Sequence, residues 1–281
     1  MESEEKITWY TNGNTYTLEE RRSCYSEVAD AYNRARPRYP MQLVSPVVEL
    51  AELDQDAIIL EVGCGPGTAT SSFAKLGFSM ICVEPSLAAC ELARQNCAQY
   101  PKVEFKNTTF EEWELEPGKF NAVLSASAFH WIPAEIGYPK AADALKDNGS
   151  LVLMLNMQIQ PDYEVYQVLH QVYQIHAPSL GQYETRETQE KNFRSFGNFA
   201  INSGRFQNLV TQELWCEATY TIDDYLMLLT TYSPYIALEL QKRDSLFAGL
   251  REALEKKCGE SIEVSYLSGF HIARKIYRNH I

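Results

Sequence analysis

The chain has 281 residues, 45% of them hydrophobic and 12% aromatic, enough for a full core in one large domain or two ordinary ones. Its 25 lysines and arginines stand against 37 aspartates and glutamates, a formal net charge of −12. That balance excludes the basic footprint of a nucleic-acid binder and makes an anionic membrane a poor partner.

Seven cysteines are scattered without CxxC pairs or Cys/His ligand spacing, so no metal is expected. Their odd number in a core-rich chain reads as reduced thiols in the cytoplasm. The acidic first residues show no secretory leader, and no apolar run approaches the roughly 18 residues of a membrane span.

Residues 1–17 read as a loose N-terminus. Residues 18–36 read as a helix stopped by Pro37, with a second helix at 41–53. The apolar run 57–62 ends at glycines and reads as a strand buried on both faces, the mark of a parallel sheet. A helix at 68–76, a strand at 80–84, a helix at 86–99 and strands at 103–106 and 120–125 follow. A helix at 137–146 and a strand at 150–156 complete the alternation, which predicts a parallel sheet with helices on both faces.

Beyond 156 the rhythm changes. Helices are predicted at 163–176, 189–203, 222–231 and 235–258, and strands at 210–220, 262–266 and 270–277. The chain divides into a flexible 1–17, a helical lid over 18–55, a cofactor-binding core over 56–160 and an acceptor-side elaboration over 161–281, all in one domain.

The strongest motif is Glu61-Val-Gly63-Cys-Gly65-Pro-Gly67, directly after the first predicted strand. Glycines at alternate positions let backbone approach a ligand closely, at the strand end where open α/β sheets bind ligands. A dinucleotide loop reads G-x-G-x-x-G instead and grips a pyrophosphate. No Lys or Arg occurs between Glu61 and Thr70, which fits a ligand without phosphates. Glu84 ends the second strand about 20 residues beyond Gly63, the position of an acid that accepts from ribose hydroxyls. The strand from Phe120 turns polar at Ser125 and Ser127 and then aromatic at Phe129, His130 and Trp131, on the edge that borders the same pocket.

On these residues the chain resembles the class I S-adenosylmethionine-dependent methyltransferases, in the small-molecule branch that includes trans-aconitate methyltransferase-like proteins. The resembling pieces are EVGCGPGTAT (61–70), VEPS (83–86), NTTFEEW (107–113), FNAVLSASAFHW (120–131) and 140–156, with weaker ones at 31–40, 220–226 and 230–233. The resemblance implies an α/β Rossmann-like fold: a seven-stranded mixed sheet with a reversed last strand and helices on both faces. It also implies extra helices after strand 5 and between strands 6 and 7. The implied cofactor is S-adenosyl-L-methionine. Gly63, Gly65 and Gly67 line its methionine part and Glu61 supports the loop. Glu84, Pro85 and Leu87 follow, Glu84 on the ribose and Leu87 beside the adenine. Thr109 and Phe110 stand where many relatives have an aspartate followed by an apolar residue, and Glu111 is a substitute for that aspartate. Asn121 replaces another common aspartate. Ser125 joins the cofactor set as a hydrogen-bonding group, against a purely strand-end role.

The catalytic candidates are Tyr32, Arg36 and His130. Tyr32 and Arg36 are expected to close over the methionine end and face the acceptor. His130 reads as a general base or as a structural histidine, and Trp131 as a pocket wall or as core. Arg36 or Arg38 is suited to a carboxylate acceptor, and Tyr232 and Tyr235 are the first choices for acceptor contact. The expected partner is a small-molecule acceptor, with no nucleic acid or membrane, for a monomer or weak homodimer. Two other readings stay open: a nicotinamide-dependent oxidoreductase and a non-catalytic S-adenosylmethionine-binding module.

Overall fold

The computed structural model describes Ser23 and residues 25–277. Predictions that fall on 1–22, including the loose N-terminus and the first part of the helix at 18–36, lie outside the described residues.

The apolar runs of the central strands alternate their side chains between two buried sheet faces, whereas the edge strands at 103–107 and 206–221 are largely exposed. The strands are β1 (Ile58–Val62), β2 (Ser79–Glu84), β3 (Val103–Asn107), β4 (Phe120–Ala126), β5 (Leu145–Asn156), β6 (Gln160–Pro161), β7 (Phe206–Thr221) and β8 (Ser261–Lys275). The sheet order is β3-β2-β1-β4-β5-β8-β6, and β7 pairs with β8. β1 to β5 are parallel, and β8 runs antiparallel to β5 as the expected reversed last strand. β8 pairs with β5 over Ser268–Arg274 and with β6 at Val264 and Ser265, so its other edge takes β7.

The two faces carry separate cores. Leu60, Val62, Val123, Leu151 and Leu153 pack under α5 (Ala134–Ala144) and under Phe193 and Phe196 of α7 (Arg186–Asn202). On the opposite face Ile59, Met80, Leu124, Val152 and Ile272 pack against α2 (Met41–Leu50) and α3 (Thr70–Ala74). α4 (Leu87–Asn96) follows β2.

A third core holds the acceptor-side elaboration: α6 (Tyr163–His176), α8 (Ile222–Thr230), α9 (Ser233–Ile236), α10 (Leu240–Cys258) and the outer halves of β7 and β8. Ala35 of α1 (Ala29–Ala35) is buried in this third core, so the N-terminal helix reaches over from the cofactor side.

Several boundaries differ from expectation. Ser23 is helical, turns occupy 25–28, and the helix Ala29–Ala35 stops there because the residue before Pro37 is held extended. The predicted strands at 262–266 and 270–277 are one strand, β8. Gly269 is no break: a Cβ there would lie 2.4 Å from Phe193 Cζ and 2.5 Å from the Gln212 carbonyl, so the glycine marks a close approach of α7 to the sheet. The helix predicted at 235–258 is two, with Pro234 in the first turn of α9 and α10 starting at Leu240. Among the described residues the sheet carries the seven expected strands and a short eighth, the two-residue β6.

Candidate functional site

The loops that leave the carboxyl ends of β1, β2, β4 and β5 meet along one edge. After Val62 the chain doubles back so that the Gly63 and Cys64 amides both donate to the Val83 carbonyl, at 2.8 and 3.3 Å. Gly63, Gly65 and Gly67 have φ of +69°, +53° and +84°, backbone that favours glycine. The first and second glycines have different surroundings. A Cβ on Gly63 would sit 2.4 Å from Ala128 Cβ, whereas a Cβ on Gly65 would meet nothing within 4 Å. The loop therefore presents bare backbone to open space at Gly65.

Two buried carboxyls hold this loop. Glu84 accepts from the Gly65 and Ser86 amides, each at 2.8 Å. Glu61 accepts from the Thr70 hydroxyl at 2.6 Å and the Cys82 thiol at 3.7 Å through one oxygen, while its Oε1 has no partner among the described residues. Burial pushes Glu61 up to about 8 and Glu84 up to about 7. Glu84 thus clamps the loop itself, and its carboxylate keeps lone pairs for further donors.

The other expected cofactor residues have these places. Leu87 opens α4 at 55% exposure, an apolar side chain left in solvent beside the loop. Pro85 offers its carbonyl to Asn107, which also bonds the Glu84 carbonyl. Thr109 accepts from the Glu112 amide and donates to the Glu112 carboxylate, a capping pair. Phe110 is buried and stacks on Trp113. Ser125 donates to the Val62 carbonyl at 2.8 Å and so ties β4 to β1 beneath the loop. Asn121 accepts from the Ile58 amide and Lys146, at the opposite end of the strands.

The N-terminal segment lies across this edge. The Tyr39 and Ser127 hydroxyls share a 3.0 Å hydrogen bond, and Asn156 donates to the Pro37 carbonyl at 3.3 Å. Arg38 donates to Thr68 and Asn33, and Asn96 donates to Asn33 and the Pro66 carbonyl. Tyr32 meets Tyr25 edge to face, and Tyr25 meets Trp131 the same way. The structure therefore brings Tyr32, Trp131 and the glycine loop under one cover.

Arg36 is built differently from Arg38. Its Nε donates to the Thr231 hydroxyl at 2.7 Å and an Nη donates to the Thr231 carbonyl at 3.0 Å. The guanidinium lies 3.8 Å from the centre of the Tyr232 ring and 5.0 Å from that of Tyr32. It makes no ion pair with a carboxylate among the described residues. A guanidinium held flat by two rings and one threonine, with donors left over, is a ready receptor for a carboxylate. His130 sits between Trp131 and Phe196, and burial pushes it down to about 4, so its imidazole is neutral at neutral pH.

Sequence reasoning did not select Asn33, Asn96, Asn156 or Thr231. Each acts through a contact distant in sequence; Asn33, Asn156 and Thr231 nevertheless lie inside the resembling pieces 31–40, 140–156 and 230–233, a signal that could have found them.

Residues 59–149 match the model of a family described as a methyltransferase domain. A Schizosaccharomyces pombe protein named as uncharacterized methyltransferase-like is 30% identical over 132 residues, 47% of this chain and 50% of that protein. A Saccharomyces cerevisiae protein, CRG1, named as an S-adenosylmethionine-dependent methyltransferase, is 26% identical over 136 residues, 47% of this chain and 46% of its own. In these matches the chain spans about half the length of the curated relatives. A solved structure assigned as a type II methyltransferase from Anaeromyxobacter dehalogenans covers 85% of this chain and 97% of that one at 20% identity, with a TM-score of 0.61, which establishes a shared fold.

Proposed function

We propose that the chain is a class I S-adenosylmethionine-dependent methyltransferase, a reading supported by the methyltransferase-domain match over residues 59–149 and the shared fold, and that it transfers a methyl group to a small-molecule acceptor bearing a carboxylate. The observation that carries the acceptor class is Arg36, stacked on Tyr232, fixed by Thr231 and without a carboxylate partner among the described residues.

The residues present fit the cofactor. Gly65 opens onto free space, and Glu61 keeps a buried oxygen without a partner beside the loop. In this reading Gly63, Gly65 and Gly67 hold the methionine part, Glu84 takes the ribose and Leu87 borders the adenine. Bound there, S-adenosylmethionine supplies a methyl group on a sulfonium, which needs no covalent help from the protein. The chain's task is to align and dry the acceptor, and alignment of this kind contributes on the order of 7–11 kcal/mol. Arg36 binds and orients the acceptor carboxylate, and the segment 32–39 excludes water. A carboxylate reacts without losing a proton, so His130, neutral and half-buried, packs the wall beside Trp131. A hydroxyl acceptor would require a base, and a histidine pushed to about 4 is a weak one.

The described cysteines are free thiols, four of them buried, which supports a reducing cytoplasmic setting. Among the described residues no helix is long and apolar enough to cross a membrane.

The test is a panel of small carboxylic acids and alcohols incubated with methyl-labelled S-adenosylmethionine. Methyl esters are the expected product. Labelled ethers alone would move the acceptor class to hydroxyls. Binding of NADH and not of S-adenosylhomocysteine would favour the oxidoreductase reading. Cofactor binding without turnover on any acceptor would favour the binding module.

A further inference from the structure

Asn156 ends β5 and pairs with Ser268 of β8. Its side-chain amide bonds in two directions. Oδ1 accepts from the Ser268 hydroxyl at 2.6 Å, and Nδ2 donates to the Pro37 carbonyl at 3.3 Å. Only this orientation satisfies both neighbours, because the Pro37 carbonyl accepts and cannot donate. Ser268 is fully buried, so the amide is steered from inside the sheet while its other end reaches the N-terminal segment.

The backbone of Asn156 reaches the same segment by a second route. Its N–H donates to the Ser127 hydroxyl oxygen at 3.4 Å, and that hydroxyl shares a 3.0 Å bond with the buried Tyr39. Ser127 has φ of +55°, backbone that a residue with a Cβ keeps only where its surroundings hold it. The hold comes from its own amide on the Met154 carbonyl, at 2.8 Å, and from the two partners of its hydroxyl.

The other tethers of the segment have a different character. The Arg38 bond to Thr68 is exposed, and water replaces it at little cost. The Arg36 bonds to Thr231 act at the far end of a long side chain. The Pro37 carbonyl lies on the main chain between these two arginines, next to a ring that fixes φ. Holding it therefore holds the backbone from which Arg36 departs toward Tyr232.

We propose that Asn156 is a positioning residue. Acting through Pro37, with Ser268 orienting its amide, it latches the segment 36–39 to the carboxyl edge of the sheet and keeps the cover closed over the bound nucleoside. The inference rests on the reading of the glycine loop as the S-adenosylmethionine site.

The test is stopped-flow release of S-adenosylhomocysteine from the full chain, read beside deuterium exchange of the nucleoside-bound protein. Asn156→Ala removes both side-chain bonds, and Asn156→Asp keeps the Ser268 bond but turns an acceptor toward Pro37. Each variant is expected to release the nucleoside roughly five- to tenfold faster than the wild type. Ser268→Ala, which removes the orienting bond alone, is expected to speed release about threefold, and to add nothing in an Asn156→Ala background. Exchange is expected to rise over residues 32–40 and to stay unchanged along β5 and β8, a pattern that a strand-end residue with a purely structural role does not give. Wild-type release rates in both Asn156 variants, or faster exchange spread along β5 and β8, overturn the latch while leaving the methyltransferase reading in place. An equal effect of Ser268→Ala in both backgrounds overturns the part given to Ser268. A wild-type chain that does not bind S-adenosylhomocysteine overturns the methyltransferase reading, and the latch falls with it.

Discussion

Arg36 stacks on Tyr232 across a gap of almost two hundred residues and joins the N-terminal helix to the turn between α8 and α9. The stack needs a planar cation, and the pair of bonds to Thr231 needs a fork of donors; a lysine offers neither. Arg36→Lys keeps the charge and loses the geometry. Acceptor KM is expected to rise roughly 10- to 100-fold, the scale of one lost charged hydrogen-bonding site at about 1.5–3 kcal/mol. The cofactor affinity is expected to stay within a few-fold. Steady-state kinetics with each substrate varied in turn separates the two, and a loss shared equally by both substrates would move Arg36 to a purely structural role.

Gly63 and Gly65 are two residues apart and predict opposite failures. Gly63→Ala places a Cβ 2.4 Å from Ala128 on backbone that an L side chain rarely adopts, so it is expected to lower Tm sharply. Gly65→Ala meets no atom and carries only the left-handed backbone cost, roughly 1–2 kcal/mol. Its methyl group nevertheless stands in the space assigned to the cofactor. Gly65→Ala is expected to fold and to bind S-adenosylhomocysteine at least tenfold more weakly than the wild type. Thermal melts read beside calorimetry check the pair, and a Gly65→Ala protein with undiminished affinity would place the cofactor elsewhere.

The contrast shows what was legible in the sequence. The glycine loop and Glu84 are local: strand, turn and acid follow from a backbone that must pass close to a ligand, and that demand is written in consecutive residues. The alternation of strands and helices through Asn156 was readable because β1, β2, β4 and β5 are buried on both faces, although the edge strand β3 is not. The single strand β8 was split in two at 267–269, where Gly269 makes room for the Phe193 ring, a contact that consecutive residues do not show. Thr231 was invisible as a partner of Arg36, since its role exists only after the acceptor-side helices pack against α1. Ser125 was read as an open choice between cofactor and strand end, and the structure has its hydroxyl on the Val62 carbonyl.

Four groups desolvated by the fold contribute to the pH dependence of stability. Burial raises Glu61 and Glu84 from 4.5 to about 8 and about 7, so each carboxyl holds its proton in the folded protein after the unfolded chain has lost it. Their contribution is full below about pH 4.5 and is lost as pH rises through 7 to 8. Burial lowers His130 and His271 from 6.5 to about 4, so their contribution is full above 6.5 and is lost as pH falls through 4. The protein without cofactor is therefore expected to be most stable near pH 5–6 and to weaken toward pH 8. Glu61→Gln keeps the shape of the side chain and removes one titration. Urea midpoints from pH 5 to 9 are expected to fall less steeply in this variant, and identical slopes would show that Glu61 is ionised in the folded state.

Tyr32 and Arg38 separate a lid from a surface helix. The Tyr32 ring meets Tyr25 edge to face, with centres 6.2 Å apart, and lies under Arg36, while Arg38 is exposed and reaches Thr68 at 3.2 Å. If the segment 32–39 covers the cofactor, its half-buried aromatic contact matters more than the exposed Arg38–Thr68 hydrogen bond, because water replaces Thr68 at Arg38 when the segment lifts, whereas the ring contact is lost without a substitute. Tyr32→Ala is expected to weaken S-adenosylhomocysteine binding about tenfold, chiefly through faster dissociation, and Arg38→Ala by no more than about threefold. Stopped-flow release of the bound nucleoside reads both rates, and a Tyr32→Ala protein that releases it as slowly as the wild type would leave α1 as an ordinary packing helix.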